Sequence, residues 1–133
     1  MIIAVDFDGT CVEHRFPEVG PDAPHSVEVL KEMCYDHDLI LYTMRSRGYL
    51  QDATDWFKKH KIRLAGIQYS PGQTDWTSSN KCYANLYIDD AALGAPLLYY
   101  TDGRAPVINW LQVRGMLATI VLANTDIILS HDE

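Results

Sequence analysis

The sequence predicts an α/β fold built on a central parallel sheet. Three observations lead there. Strand-like and helix-like runs alternate along the chain, turn residues bound the apolar runs, and polar groups recur where strands should end. At 133 residues the chain is expected to form a single domain, 1–133, with a real core. Its composition, 47% hydrophobic and 22% charged, is that of a globular protein rather than a disordered or membrane chain.

The apolar run opening the chain predicts a buried strand over residues 2–6. Pro24 precedes a predicted helix from Ser26, with Val27, Leu30 and Cys34 on one face. A second strand is expected over 39–43. Leu50, Ala53, Trp56, Phe57 and His60 then fall at helical spacing, so Trp56 and Phe57 read as helix core and His60 as packing at the helix end. Short strands are expected over 67–69 and 86–89. Trp110, Val113, Met116, Leu117 and Ile120 predict a last amphipathic helix, and 123–133 is compatible with helix or strand.

The first strand ends in Asp6-Phe7-Asp8-Gly9-Thr10. Alternation along a strand sends Asp6 and Asp8 to one side and Phe7 to the other. Gly9 lets the backbone turn sharply. Two like charges this close repel unless a cation or a shared proton relieves them, so the pair reads as a site. Thr43, Lys81 and the pair Asp89/Asp90 also fall at strand ends or near them. In open parallel sheets ligands bind outside the carboxyl ends of the strands, where groups distant in sequence converge.

A net charge of −7 argues against a general affinity for nucleic-acid backbone. Cys11, Cys34 and Cys82 are odd in number and lack metal-ligand spacing, which suits small buried hydrophobes in a reducing compartment. The histidines form no ligand cluster, and a calcium loop lacks its glycine and terminal glutamate. The opening run has no basic leader and no stretch approaches membrane-span length, so a cytoplasmic protein without membrane association is expected.

The ordered set DFDGT, Thr43, Lys81 and YIDD resembles the four motifs of the haloacid dehalogenase-like (HAD) hydrolase superfamily over roughly residues 1–118. The wording LYTMRS, SSNKCYANLYIDDAALG and NWLQVRGML is most similar to small capless bacterial and phage members. Thr43-Met44-Arg45 is more distantly similar to the 3′-phosphatase domain of phage polynucleotide kinases. Where related capless proteins commonly carry Arg-Asn after the acidic pair, this chain has Ala91-Ala92.

The resemblance implies a Rossmann-like, three-layer α/β/α fold without a cap domain, and a Mg²⁺-dependent phosphatase. Asp6 would attack phosphorus to form an aspartyl-phosphate. Asp8 would protonate the leaving group and then activate water. Thr43 and Lys81 would stabilise the phosphoryl oxygens, while Arg45 (with Arg47 competing) and Gly9 would contact the substrate phosphate. Mg²⁺ would be held by Asp6, the Asp8 backbone carbonyl and the second acidic pair. Asp90 is favoured for the metal and Asp89 for orienting Lys81, with the reverse assignment also open.

The partner implied is a phosphorylated substrate. The stretches 10–25 and 70–80 are too short for a cap. An open site suits either a large substrate or closure by a second copy in a homo-oligomer. The loop 70–76 is placed to help cover it, and Trp76 either packs on that loop or stacks on an aromatic leaving group. Two alternatives remain: a phospho-accepting receiver-like signalling module, and a catalytically silent HAD-fold binding protein.

Overall fold

The structure, a computed structural model, describes the backbone of residues 1–131 and the side chains of residues 1–124. Strands β1 (Ile2–Val5) and β2 (Asp38–Leu41) are apolar on both faces, as strands in the middle of a parallel sheet must be. They pair with each other, with β3 (Gly66–Ile67) beyond β2 and β4 (Leu86–Ile88) beyond β1, giving the order β3-β2-β1-β4. All pairings are parallel. Val5 lies beside Leu41 on one side and Ile88 on the other, so Asp6, Tyr42 and Asp89 leave the sheet side by side.

Right-handed crossovers stepping from β1 to β2 to β3 place α1 (Ser26–Asp36) and α2 (Arg47–Lys59) on one face. Ile3, Val5, Leu39 and Leu41 pack there against Val29 and Leu30 of α1 and Ala53, Trp56 and Phe57 of α2. Trp110 and Val113 of α3 (Trp110–His131) join the same core. The return from β3 to β4 runs the other way across the sheet, so its connection belongs on the opposite face. Ala4 and Ile40 meet Cys82 there.

The connection holds only a short 3₁₀ turn, Gln73–Asp75. Buried Gln73 fastens it: its side-chain oxygen accepts from the Ser70 and Tyr83 N–H groups at 3.1 and 2.8 Å, and its Nε2 donates to the Lys81 carbonyl at 2.7 Å. The fold is thus a Rossmann-like three-layer α/β arrangement, complete in helices on one face and abbreviated on the other.

Several elements differ in detail from the sequence reading. The buried face of α1 is carried by Val29 and Met33 as well as Leu30 and Cys34, with Val27 only partly buried. β2 ends at Leu41, and β3 begins one residue earlier than expected and stops at Ile67, because Gln68 turns the chain at φ +66°. β5 (Leu97–Leu98) and β6 (Val107–Ile108) form an antiparallel pair that the sequence did not predict. Runs of two residues carry no periodicity to read. The backbone from 123 to 131 continues α3, while Asp132 and Glu133 lie outside the described residues.

The three cysteines are buried and free, and His60 packs on Trp56 with ring centroids 4.8 Å apart. Among the described residues no helix is long and apolar enough to cross a membrane.

Buried Trp110 ties α3 to the loop after β1, its indole N–H donating to the Thr10 carbonyl at 2.8 Å. Trp110→Phe keeps most of the volume but strands that carbonyl without a donor. Denaturant unfolding should show a loss of about 1–3 kcal/mol, the cost of an unsatisfied buried polar group. An unchanged midpoint would mean that water replaces the indole.

Candidate functional site

β1 and β4 lie side by side and parallel, so their carboxyl ends open together at one end of the sheet, where ligands bind in open parallel sheets. The Asp6 N–H donates to the Ile88 carbonyl at 2.9 Å, so pairing holds up to the first aspartate. Among the described residues Asp6, Asp89 and Asp90 form a group able to hold a metal ion, offering one oxygen each, all within 4.8 Å of one another.

Buried Thr10, which the sequence reading passed over, braces the cluster. Its hydroxyl lies 3.0 Å from Asp6 Oδ2 and 3.3 Å from Asp90 Oδ1, and accepts the Asp90 N–H at 3.2 Å. A residue closing a DxDGT turn was the available signal. Gly9 is required by close approach as well as by its φ of +81°: a Cβ there would stand 2.4 Å from Asp90 Oδ2. Its N–H is spent on the Val12 carbonyl at 2.8 Å, which corrects the expectation that Gly9 contacts a substrate phosphate. His14, half exposed, places Nε2 3.7 Å from Asp90 Oδ2.

Burial, the adjacent Asp90 carboxyl and the Asp89 charge push the Asp6 carboxyl up to about 8. At neutral pH the bare cluster therefore retains a proton. Three oxygen ligands that repel until something positive sits between them fit a hard divalent cation such as Mg²⁺.

Asp8 has a different partner. Arg45 donates to both of its oxygens, Nε to Oδ2 and an Nη to Oδ1, each at 2.7 Å. The remaining guanidinium bonds go to the carbonyls of Pro17, Glu18 and Tyr49. The guanidinium is also flanked by the rings of Phe7 and Phe16, at 5.2 and 5.1 Å. Arg45 is only 2% exposed. The reading of Arg45 as a clamp for a substrate phosphate is corrected: its donors are already engaged, and it positions Asp8. The same pairing takes the Asp8 carboxylate out of the metal cluster.

Thr43 lies just beyond β2 and lines the same cleft as the aspartates. Its hydroxyl accepts the Arg45 N–H at 3.1 Å, leaving its own hydrogen to donate. Gln68 holds the Thr43 backbone from both sides, accepting its N–H at 2.9 Å and donating to its carbonyl at 2.6 Å. Nothing in the residue pattern marked Gln68 for this task.

Lys81 is not brought to the cluster. It is exposed, its ammonium sits 5.5 Å from the centre of the Tyr87 ring, and it does not line the cleft. It rides on the abbreviated layer, whose chain crosses the face away from the helices. Asp89 forms no ion pair with it and instead caps the Ala91 N–H at 2.9 Å, so the orienting role expected for Asp89 is also corrected. The loop 70–76 does not line the cleft either, and Trp76 packs edge-on to Tyr83 at 5.8 Å.

The cleft measures about 530 Å³ and is completed by His14, Phe16, Met44 and Ala91. No protein-family model and no curated protein matches this chain. The solved structure of a conserved protein from Bacteroides thetaiotaomicron is similar to it, with 33% sequence identity, 90% of each chain covered and a TM-score of 0.72. The two chains belong to one family. That relation carries the fold and names no activity.

Two outcomes follow from this geometry. Arg45→Met removes a buried partner and leaves the Asp8 carboxylate without its guanidinium and the Pro17 and Glu18 carbonyls without that donor. Denaturant unfolding should show a loss of about 3–5 kcal/mol, and a loss below 1 kcal/mol would contradict the pairing. The second concerns Asp6, whose proton is held more tightly in the folded chain than at the ordinary value of 3.8. Its stabilising contribution is complete below that value and is lost as pH rises through about 8. Without divalent ions, melting temperature should fall across this window, and Asp6→Asn should flatten the slope. An identical slope in both proteins would contradict it.

Proposed function

We propose that this chain is a phosphomonoester hydrolase of the HAD type, using Asp6 as nucleophile and Mg²⁺ as cofactor. The observation that carries the reading is the convergence of Asp6, Asp89 and Asp90 within 4.8 Å, at the carboxyl ends of two neighbouring parallel strands. Thr43 and Asp8 line the same cleft.

Asp6, Asp89 and Asp90 would hold the cation, with either member of the acidic pair able to ligate. When bound, Mg²⁺ supplies the positive charge that lets a carboxylate approach a phosphate dianion. One Asp6 oxygen forms a bond to phosphorus as the ester bond breaks, and the departing oxygen takes a proton from Asp8. Water then attacks the aspartyl-phosphate, Asp8 receives its proton, and phosphate leaves with Asp6 restored. The Arg45 fork occupies two of about four lone-pair sites on the Asp8 carboxylate, leaving room on both oxygens for that proton. Thr43 donates its hydroxyl to a phosphoryl oxygen.

One observation favours a second reading, a catalytically silent binding protein of the same fold. Lys81, expected at the phosphoryl group, stands outside the cleft.

Turnover of 4-nitrophenyl phosphate separates the two. Purified protein with Mg²⁺ should hydrolyse it and a chelator should stop it. Asp6→Asn should abolish turnover and phosphoenzyme, and Asp8→Asn should lower the rate by roughly two to four orders of magnitude. Asp8→Asn should also destabilise the fold, because it unpairs buried Arg45. Activity that survives complete removal of divalent ions, or the Asp6 substitution, would overturn the mechanism.

A further inference from the structure

The cleft says something about what is attached to the phosphate. Its floor is acidic, and its basic side chains are Arg45, whose donors are all engaged, and His14 beside Asp90. Among the described residues no free lysine or arginine lines it. A second phosphate group, or a nucleic-acid backbone, would meet carboxylates without a cation to pair with.

The rim is apolar and unusually exposed. Phe16 is 55% accessible and Met44 97%, and both line the cleft. The Phe16 ring is held in place: Arg45 lies at 5.1 Å from its centre and the Tyr49 ring meets it edge-on at 5.1 Å. A fixed ring with an accessible surface, on a cleft that the flexible thioether of Met44 also lines, is a surface that a planar aromatic group can cover. Neither residue is needed to close the core, since each leaves much of its surface in water.

We infer that the Phe16–Met44 rim is a subsite for a planar aromatic ring in the leaving portion of a substrate that carries a single phosphate. This rests on the phosphohydrolase reading of the cleft. The ring sits against Phe16 and Met44 while the phosphate reaches Thr43 and the aspartates. Phosphate esters of phenols and nucleoside monophosphates share this chemistry, with the ring at the ester oxygen or one sugar away.

Phenylphosphonate and cyclohexylphosphonate, similar in size and charge but different in flatness, are the probes. Calorimetric titration in Mg²⁺ should show wild-type protein binding phenylphosphonate about three- to tenfold more tightly, and Phe16→Leu should erase that preference. Equal affinities in the wild type overturn the inference without recourse to any variant, as does a preference that Phe16→Leu leaves intact, or binding of neither probe. Steady-state kinetics on phenyl phosphate and adenosine 5′-monophosphate identifies the source of the ring, as the substrate whose kcat/KM falls more in Phe16→Leu. A ring preference in binding without turnover keeps the subsite and overturns the hydrolase reading. Turnover without ring preference does the reverse.

Discussion

Mutual repulsion among Asp6, Asp89 and Asp90 is the constraint around which this end of the sheet is arranged. Carboxylates within 4.8 Å of one another would separate if their backbones were free. They are not free. The Asp6 N–H closes the ladder to β4, the Thr10 hydroxyl touches Asp6 and Asp90 at once, and the absence of a side chain at Gly9 admits Asp90. Trp110 fixes Thr10 in turn from α3. A cation is welcome there because it can take the place of the retained proton and turn like-charge contacts into attractions.

The first two aspartates show how neighbours in sequence acquire separate chemistry. Asp6 is committed to the acidic cluster, and Asp8 to a buried guanidinium. Phe7, between them, is fully buried and meets Trp56 edge-on at 5.7 Å, so the turn bearing both carboxylates is anchored in the aromatic core. Side chains presented from such a base keep their geometry when a ligand arrives. Arg45 serves the same end from the loop after β2, and its guanidinium bonds reach the carbonyls of Pro17 and Glu18 in the segment over it.

Much of the architecture was legible because it follows from periodicity and strand-end chemistry. The apolar run before Asp6, the helical spacing of Ala53, Trp56 and Phe57, and the acidic pair after Ile88 each predict an element and its orientation. The side chains that failed did so for tertiary reasons. An arginine two residues past a strand looks the same in sequence whether it faces water or a buried carboxylate, and only the Phe16 and Glu18 contacts decide. Lys81 stands in the order that the HAD resemblance requires, but order carries no distance, and the abbreviated layer places it over Tyr87. Gln68 stabilises Thr43 from a backbone conformation that no pattern announces.

The uneven layering has a consequence for how the chain behaves among its neighbours. An open sheet presents unpaired backbone at each edge, and long exposed edges invite strands from other molecules to add on. Here the outer strands are the shortest in the sheet, β3 with two residues and β4 with three. The longer strands, β1 and β2, are both interior. A passing chain therefore finds too few adjacent donors and acceptors to dock against. Trimming the margins in this way guards a largely apolar sheet against edge-to-edge aggregation, even though one of its faces is covered by little more than a loop.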